Sequence, residues 1–170
     1  MEEFWRWNCE IFIAMNKNNN EFFNFELFDN KTLRLKYIKK PKKPFIADAS
    51  PLGFIGIGYI QIDNLFFTFS SKERQAIIAH EYWQYKNTFY YEIKKFWLIF
   101  CINKIKKLQE LEADIYAAKK IGIDPTLSML KKIKQMIEQG KIDYDYKTHP
   151  PIDERIANVM KLKSLSNKIN

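Results

Sequence analysis

The tetrapeptide Ser70-Ser71-Lys72-Glu73 divides the chain into two parts with different hydrophobic patterns. A serine followed three residues later by a glutamate is typical of a helix N-terminus, because each side chain satisfies a backbone N–H group there. Before this point apolar residues alternate with polar ones, as they do in half-buried strands, and after it they recur at helical spacing. Strands followed by helices predict an α+β fold with a small, mostly antiparallel sheet.

The first part of the chain predicts a hairpin and further strands. Alternating segments flank Asp29-Asn30-Lys31, with Phe23, Phe25 and Leu27 on one side and Leu33, Leu35 and Tyr37 on the other. Residues 45–69 are rich in β-branched and aromatic residues and predict two or three more strands. A short helix is expected over residues 1–16. We therefore expect an N-terminal extension, 1–44, joined to a larger unit, 45–170, in one compact body.

Helices are predicted for most of the second part. Their expected bounds are about 72–88, then 94–121 with Gly122 at its end, then Asp124 to Gly140, and a last helix through Ile152, Ile156 and Val159. In the pair Asp124-Pro125, the aspartate is expected to cap the third helix and the proline to occupy its first position.

The charge of the chain limits the partners that we expect. The formal net charge is +8 and the pI about 9.3, a balance that can attract nucleic acid or an anionic membrane surface. The lysines, however, are spread along the chain, and arginine, the usual reader of bases, is rare. We therefore expect a solvated basic surface and no nucleic-acid partner.

Export or membrane insertion is not predicted. The start, Met1-Glu2-Glu3, is acidic where a signal peptide is basic. The longest purely apolar run, residues 96–102, is far shorter than the roughly 20 residues that span a bilayer. Cys9 and Cys101 have no C-x-x-C partner, which favours a reduced intracellular protein, with a single disulfide as the alternative. We expect a soluble, cytoplasmic protein without a transmembrane segment.

A candidate metal-binding pattern lies in the first predicted helix after the strands. The sequence His80-Glu81-Tyr82-Trp83-Gln84 matches H-E-x-x-H except at its last position, where Gln84 replaces a histidine. Residues four apart share a helix face, so two imidazoles could bind one metal ion there, with Glu81 beside them as a base. Because the second imidazole is missing, this pattern alone fits an ordinary His-Glu pair on a helix equally well.

The next predicted helix adds a second pair of residues four apart, Glu110 and Asp114. A zinc site of the His/His/Glu type needs a carboxylate ligand from a second helix. It also needs an acceptor that holds a ligating imidazole in the right tautomer. Glu110 and Asp114 can supply both roles. In the alternative, these acids form the solvated face of an ordinary helical domain.

A third segment, Thr148-His149-Pro150-Pro151-Ile152-Asp153-Glu154-Arg155-Ile156, completes a family resemblance. The three motifs, in this order, resemble the gluzincin zinc metallopeptidases of the HtpX and CaaX-prenyl-protease type over roughly residues 45–160. The resemblance implies a zincin-like domain, in which a small sheet precedes the active-site helix, a Glu-bearing helix and C-terminal helices. It is nearest to the small soluble minigluzincins, because the stretch between the first two motifs is short and interrupted by Lys94 and Lys95.

The resemblance implies hydrolysis of peptide bonds with one zinc ion. It puts His80, Gln84 and Glu110 at the ligand positions. It makes Glu81 the general base and then the acid, and it makes Asp114 the hydrogen-bond partner of a ligand histidine, most simply His80. It sets His149 and Arg155 near the cleft, where they steady the oxyanion or the local fold. One strand within residues 54–63 would be the rim along which a peptide or protein substrate lies extended.

Gln84 is expected to weaken zinc binding, because a neutral amide oxygen is a poorer zinc donor than an imidazole. Three interpretations stay open. Gln84 or a water ligates weakly and some activity survives, or His149 completes the site and silences it, or no metal binds. In the last case the fold persists as a pseudopeptidase that binds peptides or a protein partner. The joint presence of Glu81, Glu110 and Asp114 favours a metallopeptidase with weakened or abolished activity. The resemblance also leaves open a homodimer and self-inhibition by the tail, residues 161–170.

Overall fold

A computed structural model describes residues 22–26, 32–49, 59–97 and 102–166. The strands are β1 (Phe22–Glu26), β2 (Thr32–Tyr37), β3 (Ala47–Ala49) and β4 (Ile60–Ile62). A 3-10 helix spans Asn64–Thr68, and the α-helices are α1 (Ser71–Trp97), α2 (Ile102–Ile121), α3 (Ile123–Glu138) and α4 (Ile152–Ser166). Strands precede helices, so the predicted α+β class is confirmed. The predicted helix over 1–16 and both cysteines lie outside the described residues.

The four strands form one mixed sheet in the order β1-β2-β4-β3. The predicted hairpin is confirmed, with β1 antiparallel to β2 and Phe23 opposite Leu35. Strand β2 pairs with β4 in parallel, and β4 pairs with β3 antiparallel. Because β4 is paired on both sides, it cannot be the rim predicted within 54–63, and residues 54–58 lie outside the described part. Among the described strands, the edge beside the helices is β3.

Helix α1 begins with the predicted capping box. The Ser70 backbone N–H donates to Glu73 Oε2 at 2.7 Å, and the Glu73 N–H donates to Ser70 Oγ at 3.4 Å. The helix runs to Trp97, so its predicted end near residue 88 was wrong, as was the predicted start of the next helix at 94. The polar residue Asn87 does not end the helix, because its side chain donates to the Trp83 carbonyl at 2.8 Å.

Two glycines set the bounds of α3. Gly122 lies between α2 and α3 with φ +124°, and Gly140 follows α3 with φ +65°, both conformations that favour glycine. The predicted cap at Asp124 is wrong, since Gly122 is the N-cap and no side chain caps the helix. Asp124 lies inside the first turn, where it accepts a hydrogen bond from Lys163 Nζ at 2.7 Å. This ion pair joins α3 to α4.

The core lies between the sheet and the helices. One face of the sheet contributes Leu33, Leu35, Ile60 and Ile62, all nearly inaccessible to solvent. Buried residues of all four α-helices belong to the same cluster, including Ile78, Ala118, Leu130 and Val159. Helix α1 contacts β3 and β4 as well as α2 and α3, so it lies at the centre of the molecule. No helix within the described ranges is long and apolar enough to cross a membrane.

Candidate functional site

Helix α1 presents three of the predicted site residues at its middle turns. His80 is 5% exposed, and Glu81 and Gln84 are partly buried. His80 and Gln84 lie one turn apart on the same face, as their spacing predicts. The side chains of these two residues point between α1 and α2, where the environment is shielded from water and electrostatic interactions are strong.

Helix α2 brings both of its predicted acids to His80. Asp114 is fully buried and its Oδ1 lies 2.9 Å from His80 Nδ1. Glu110 Oε2 lies 3.4 Å from the other ring nitrogen, Nε2. If Asp114 is ionised it can only accept, so His80 carries its hydrogen on Nδ1 and donates it to Asp114. This contact is the one that the family resemblance implies between Asp114 and a ligand histidine.

Arg155 of α4 lies behind the two acids and is 5% exposed. Its Nε and Nη2 donate to Asp114 Oδ2 and Oδ1, both at 2.8 Å. Its Nη1 lies 3.3 Å from Glu110 Oε2. The guanidinium of Arg155 thus contacts both carboxylates, through hydrogen bonds to Asp114 and an ion pair with Glu110. Its position fits an orienting role better than direct contact with a reacting group.

Burial and charge act in opposite directions on these groups. Burial would raise the pKa of Glu110 and of Asp114, but the Arg155 charge and the contacts to His80 lower both pKa values below the usual range. Burial would lower the pKa of His80, but hydrogen bonds to Asp114 and Glu110, and their charges, raise it. The two acids are therefore ionised at neutral pH, and Arg155 offsets much of their charge.

Gln84 lies between His80 and Glu110. Its Nε2 is 2.8 Å from His80 Nε2 and 2.8 Å from Glu110 Oε1. An amide nitrogen has two hydrogens to donate and accepts none. The amide therefore donates to the two groups that the family resemblance assigns to a metal. Its hydrogen bond to His80 requires a neutral ring, and so it opposes the protonation that the acids favour.

His149 enters the site from the loop between α3 and α4. Its Nε2 lies 3.6 Å from Glu110 Oε1, and the side chain is 38% exposed. The loop is held by backbone hydrogen bonds, including the His149 N–H to the Asp145 carbonyl at 2.9 Å. Tyr144 Oη also donates to the Pro150 carbonyl at 2.6 Å. The loop thus holds His149 beside the carboxylate of Glu110.

These residues line one cleft of about 440 Å³. Residues 44–48, which include part of β3, contribute to its lining, and so do Ile142, Asp143 and Tyr144 of the loop. Lys43 and Asp143 join these two segments through an ion pair of 3.2 Å between exposed side chains. Of the seven predicted site residues, six line the cleft, and Asp114 lies behind it in contact with His80 and Arg155.

Four polar cleft residues were not predicted: Lys43 and Asp143, which form the exposed ion pair, and Asp48 and Tyr144. Asp48 lies on β3 and is exposed, yet desolvation of its carboxyl by the neighbouring cleft residues and the Glu110 charge raise its pKa. The alternation around β3 could have indicated an outward side chain at residue 48, although nothing in the sequence brings it to α1. Tyr144 belongs to a loop whose path depends on the packing of α3 and α4.

Glu81 is the carboxyl group of the cleft that is best suited to proton transfer. Burial raises its pKa to about 7, while His80 and Arg155 lower it and Glu110 and Asp48 raise it. A carboxyl group with a pKa near neutrality can both accept and return a proton at physiological pH. Perturbed carboxyls in clefts are common at functional sites.

A zinc ion would require a set of donors at defined distances. In a tetrahedral site with metal–ligand distances of about 2.0–2.1 Å, neighbouring donors lie about 3.3 Å apart. The distance of 3.4 Å between His80 Nε2 and Glu110 Oε2 meets that need. Gln84, however, directs N–H groups to both residues. Within the described residues, no group of three or more His, Cys, Asp or Glu side chains could hold a metal ion. As arranged, the residues do not fit zinc.

Comparisons with protein-family models, with curated proteins and with solved structures give no match for this chain. The residues of the cleft are therefore the basis on which a function can be assigned.

Proposed function

We propose that this chain is a gluzincin-type protein with a zincin-like fold, and that its cleft binds an extended peptide without cleaving it at a measurable rate. The observation that carries the proposal is the meeting of three motifs in one cleft. His80, Glu110 and Arg155 are up to 75 residues apart in the sequence, yet all three line it. A solvated face of an ordinary helical domain would not bring them together around a buried aspartate.

The edge strand β3 is the surface to which we assign the peptide. Strand pairing puts Ile46 opposite Asp63, and the Asp63 N–H donates to the Ile46 carbonyl at 3.5 Å. Hydrogen-bonded and non-bonded pairs alternate along an antiparallel ladder. Asp48 therefore also directs its backbone groups toward β4, whereas Ala47 and Ala49 direct theirs away from it. An added peptide strand would bond to these outward groups.

The position of β3 connects peptide binding with the cleft. Ala47 and Asp48 line the same cavity as His80, Glu81 and His149. A peptide that pairs with β3 would run along this cavity, with alternate side chains directed into it. The apolar lining residues Ile77, Met129 and Ile133 offer a surface for one such side chain.

The absence of hydrolysis follows from Gln84. Amide hydrolysis by this class of protein requires a metal that polarises the carbonyl group and acidifies a water molecule. The hydrogen bonds from Gln84 to His80 and Glu110 occupy the groups that would hold that metal. We therefore assign the chain to peptide binding, as a pseudopeptidase.

A zinc-dependent endopeptidase is the second candidate. Two observations favour it, the pKa of Glu81 near 7 and the separation of 3.4 Å between His80 Nε2 and Glu110 Oε2. Both are features of a site that performs general-base catalysis beside a metal, and a pure binding protein needs neither.

The test uses a library of fluorescein-labelled decapeptides with binding read by anisotropy. We expect binding that EDTA does not change and that Ala47→Pro weakens at least tenfold, because proline removes an outward N–H group. In a selected peptide, N-methylation of alternate residues should abolish binding, whereas N-methylation of the residues between them should not. This period of two is an internal control, since only alternate amides of a strand face its neighbour.

The results can refute the proposal in two ways. If no peptide binds, or if binding is insensitive to Ala47→Pro and to the position of N-methylation, the assignment to β3 is wrong. If the parent chain cleaves peptides, and both EDTA and Glu81→Gln stop the cleavage, the second candidate is correct instead.

A further inference from the structure

The amide of Gln84 is oriented differently from the amide of a metal ligand. A glutamine that ligates a metal uses its amide oxygen. Here the amide nitrogen is equidistant, at 2.8 Å, from His80 Nε2 and Glu110 Oε1. With two hydrogens, one nitrogen can satisfy both acceptors at once. The group between the imidazole and the carboxylate is therefore a double hydrogen-bond donor.

Glu110 fixes the orientation of this amide. Arg155 Nη1 lies 3.3 Å from Glu110 Oε2, and a carboxylate paired with a buried guanidinium remains ionised. An ionised carboxylate accepts hydrogen bonds and donates none. If the amide were rotated by 180°, Gln84 Oε1 would take the place of the nitrogen beside Glu110 Oε1, with no hydrogen between the two oxygens. The nitrogen must therefore face Glu110.

Asp114 determines which ring nitrogen of His80 carries a hydrogen. Asp114 accepts from His80 Nδ1 at 2.9 Å and also from two nitrogens of Arg155. One ring hydrogen is thus on Nδ1. Because the Gln84 nitrogen 2.8 Å from Nε2 can only donate, Nε2 presents its lone pair to it and the ring is neutral. Donors thus run from Gln84 through His80 to Asp114, and from Gln84 to Glu110, and this order opposes the ring protonation that the two carboxylates favour.

We infer that the Gln84 carboxamide replaces a metal ion as the bridge between His80 and Glu110, so that the cleft keeps its shape without metal. The His80 lone pair and one Glu110 oxygen are both occupied by N–H groups, and a metal could bind only after both hydrogen bonds break. This bridge forms whether or not a peptide binds to β3.

The first test removes the donors but keeps the shape. Gln84→Met has a similar length and no N–H group, so it leaves His80 Nε2 and one Glu110 oxygen without this partner in a shielded site. We expect its unfolding equilibrium constant in EDTA to rise roughly tenfold to a hundredfold over the parent chain. Gln135→Met is the matched control, because Gln135 is an exposed glutamine on α3. It should change this constant by less than about threefold.

The second test introduces an imidazole and uses Zn²⁺ alone as the probe. After equilibration with zinc and removal of the free ion, the parent chain should retain less than about 0.1 zinc per chain. Its Tm should be the same in zinc and in EDTA. Gln84→His should retain about one zinc per chain, and its Tm should rise with zinc and fall with EDTA. Gln135→His should behave like the parent chain.

The third test reads the tautomer directly. In ¹⁵N-labelled parent protein, the ring shifts of His80 should show the hydrogen on Nδ1. The chain has two histidines, so a His149→Asn variant assigns the signals. This measurement needs no folded variant of Gln84.

Four results would overturn the inference. They are a zinc-loaded parent chain with a chelator-sensitive Tm, a Gln84→Met variant as stable as the parent chain, a Gln84→His variant that retains no zinc, and a hydrogen on Nε2 of His80. None of them depends on peptide binding, so failure of the proposed function would be seen separately.

Discussion

The partly buried carboxyl of Glu81 is expected to destabilise the folded protein above neutral pH. Burial raises its pKa from 4.5 to about 7. A carboxyl whose folded pKa is raised holds its proton more tightly in the folded state than in the unfolded state. Its contribution to stability is therefore fully present below about pH 4.5 and is lost as the pH rises to about 7. Above that pH, the folded state bears the whole cost of the buried charge.

The substitution Glu81→Gln isolates this cost, because glutamine has the same shape and does not titrate. The pKa difference of 7 − 4.5 = 2.5 corresponds to about 3.4 kcal/mol at about 1.36 kcal/mol for each pH unit. Glu81 is partly exposed, so we expect about 1–3 kcal/mol of added stability at pH 8. For a chain of this size, that is a rise in Tm of roughly 2–10 °C.

The assay is chemical denaturation of both proteins in EDTA at several pH values from 4 to 8. The gain in the free energy of unfolding should be near zero at pH 4 and should grow between pH 5 and pH 7. Glu138→Gln, at an exposed carboxylate of α3, is the control and should show no such growth. A gain that is equal at pH 4 and pH 8, or a loss of stability at pH 8, would refute the reasoning.

Three further predictions concern the framework of the site. Asp114→Asn should lower the free energy of unfolding by about 3–5 kcal/mol, measured by urea denaturation, because Arg155 and His80 lose a buried charge partner; a loss below about 1 kcal/mol would contradict this. Glu73→Ala should cost about 1–2 kcal/mol in the same assay, since it removes both the capping box and the bond from Ser128; Glu138→Ala is its control. Gly140→Ala should cost about 1–2 kcal/mol purely through its positive φ, because the added Cβ meets no atom; Gly140→Asn should cost less, and equal losses would contradict a backbone origin.

Local structural features were predictable where contacts between a residue and its near neighbours in the sequence determine the favoured backbone conformation. The capping box at Ser70 and Glu73 depends on a contact three residues apart, and both of its hydrogen bonds form. Gly122 and Gly140 have the positive φ values that end helices. The hairpin register follows from the alternation of apolar residues, because a shift by one would expose the whole apolar face.

Predicted helix boundaries were wrong where contacts with other groups outweigh the local conformational preference of a residue. The sequence predicted the end of a helix near position 88, yet α1 continues to Trp97, and Asn87 finds an acceptor within the helix. Asp124 has the chemistry of a cap, but Lys163 of α4 binds its carboxylate instead. Neither outcome can be read from the residue types alone, since each depends on which group competes for the same hydrogen bond.

Spacing along the chain limits which groups can meet, because residues four apart on a helix share a face. The intervals from His80 to Gln84 and from Glu110 to Asp114 are enough to identify two such faces. What occupies the space between the two faces depends on how the helices pack. The packing of α1 against α2 holds one Gln84 nitrogen 2.8 Å from both His80 and Glu110. Arg155, from α4, fixes the charge of Glu110 and with it the direction of that amide. Hydrogen-bond direction depends on distances of a few tenths of an ångström between separate elements, and no pattern along the chain encodes these distances.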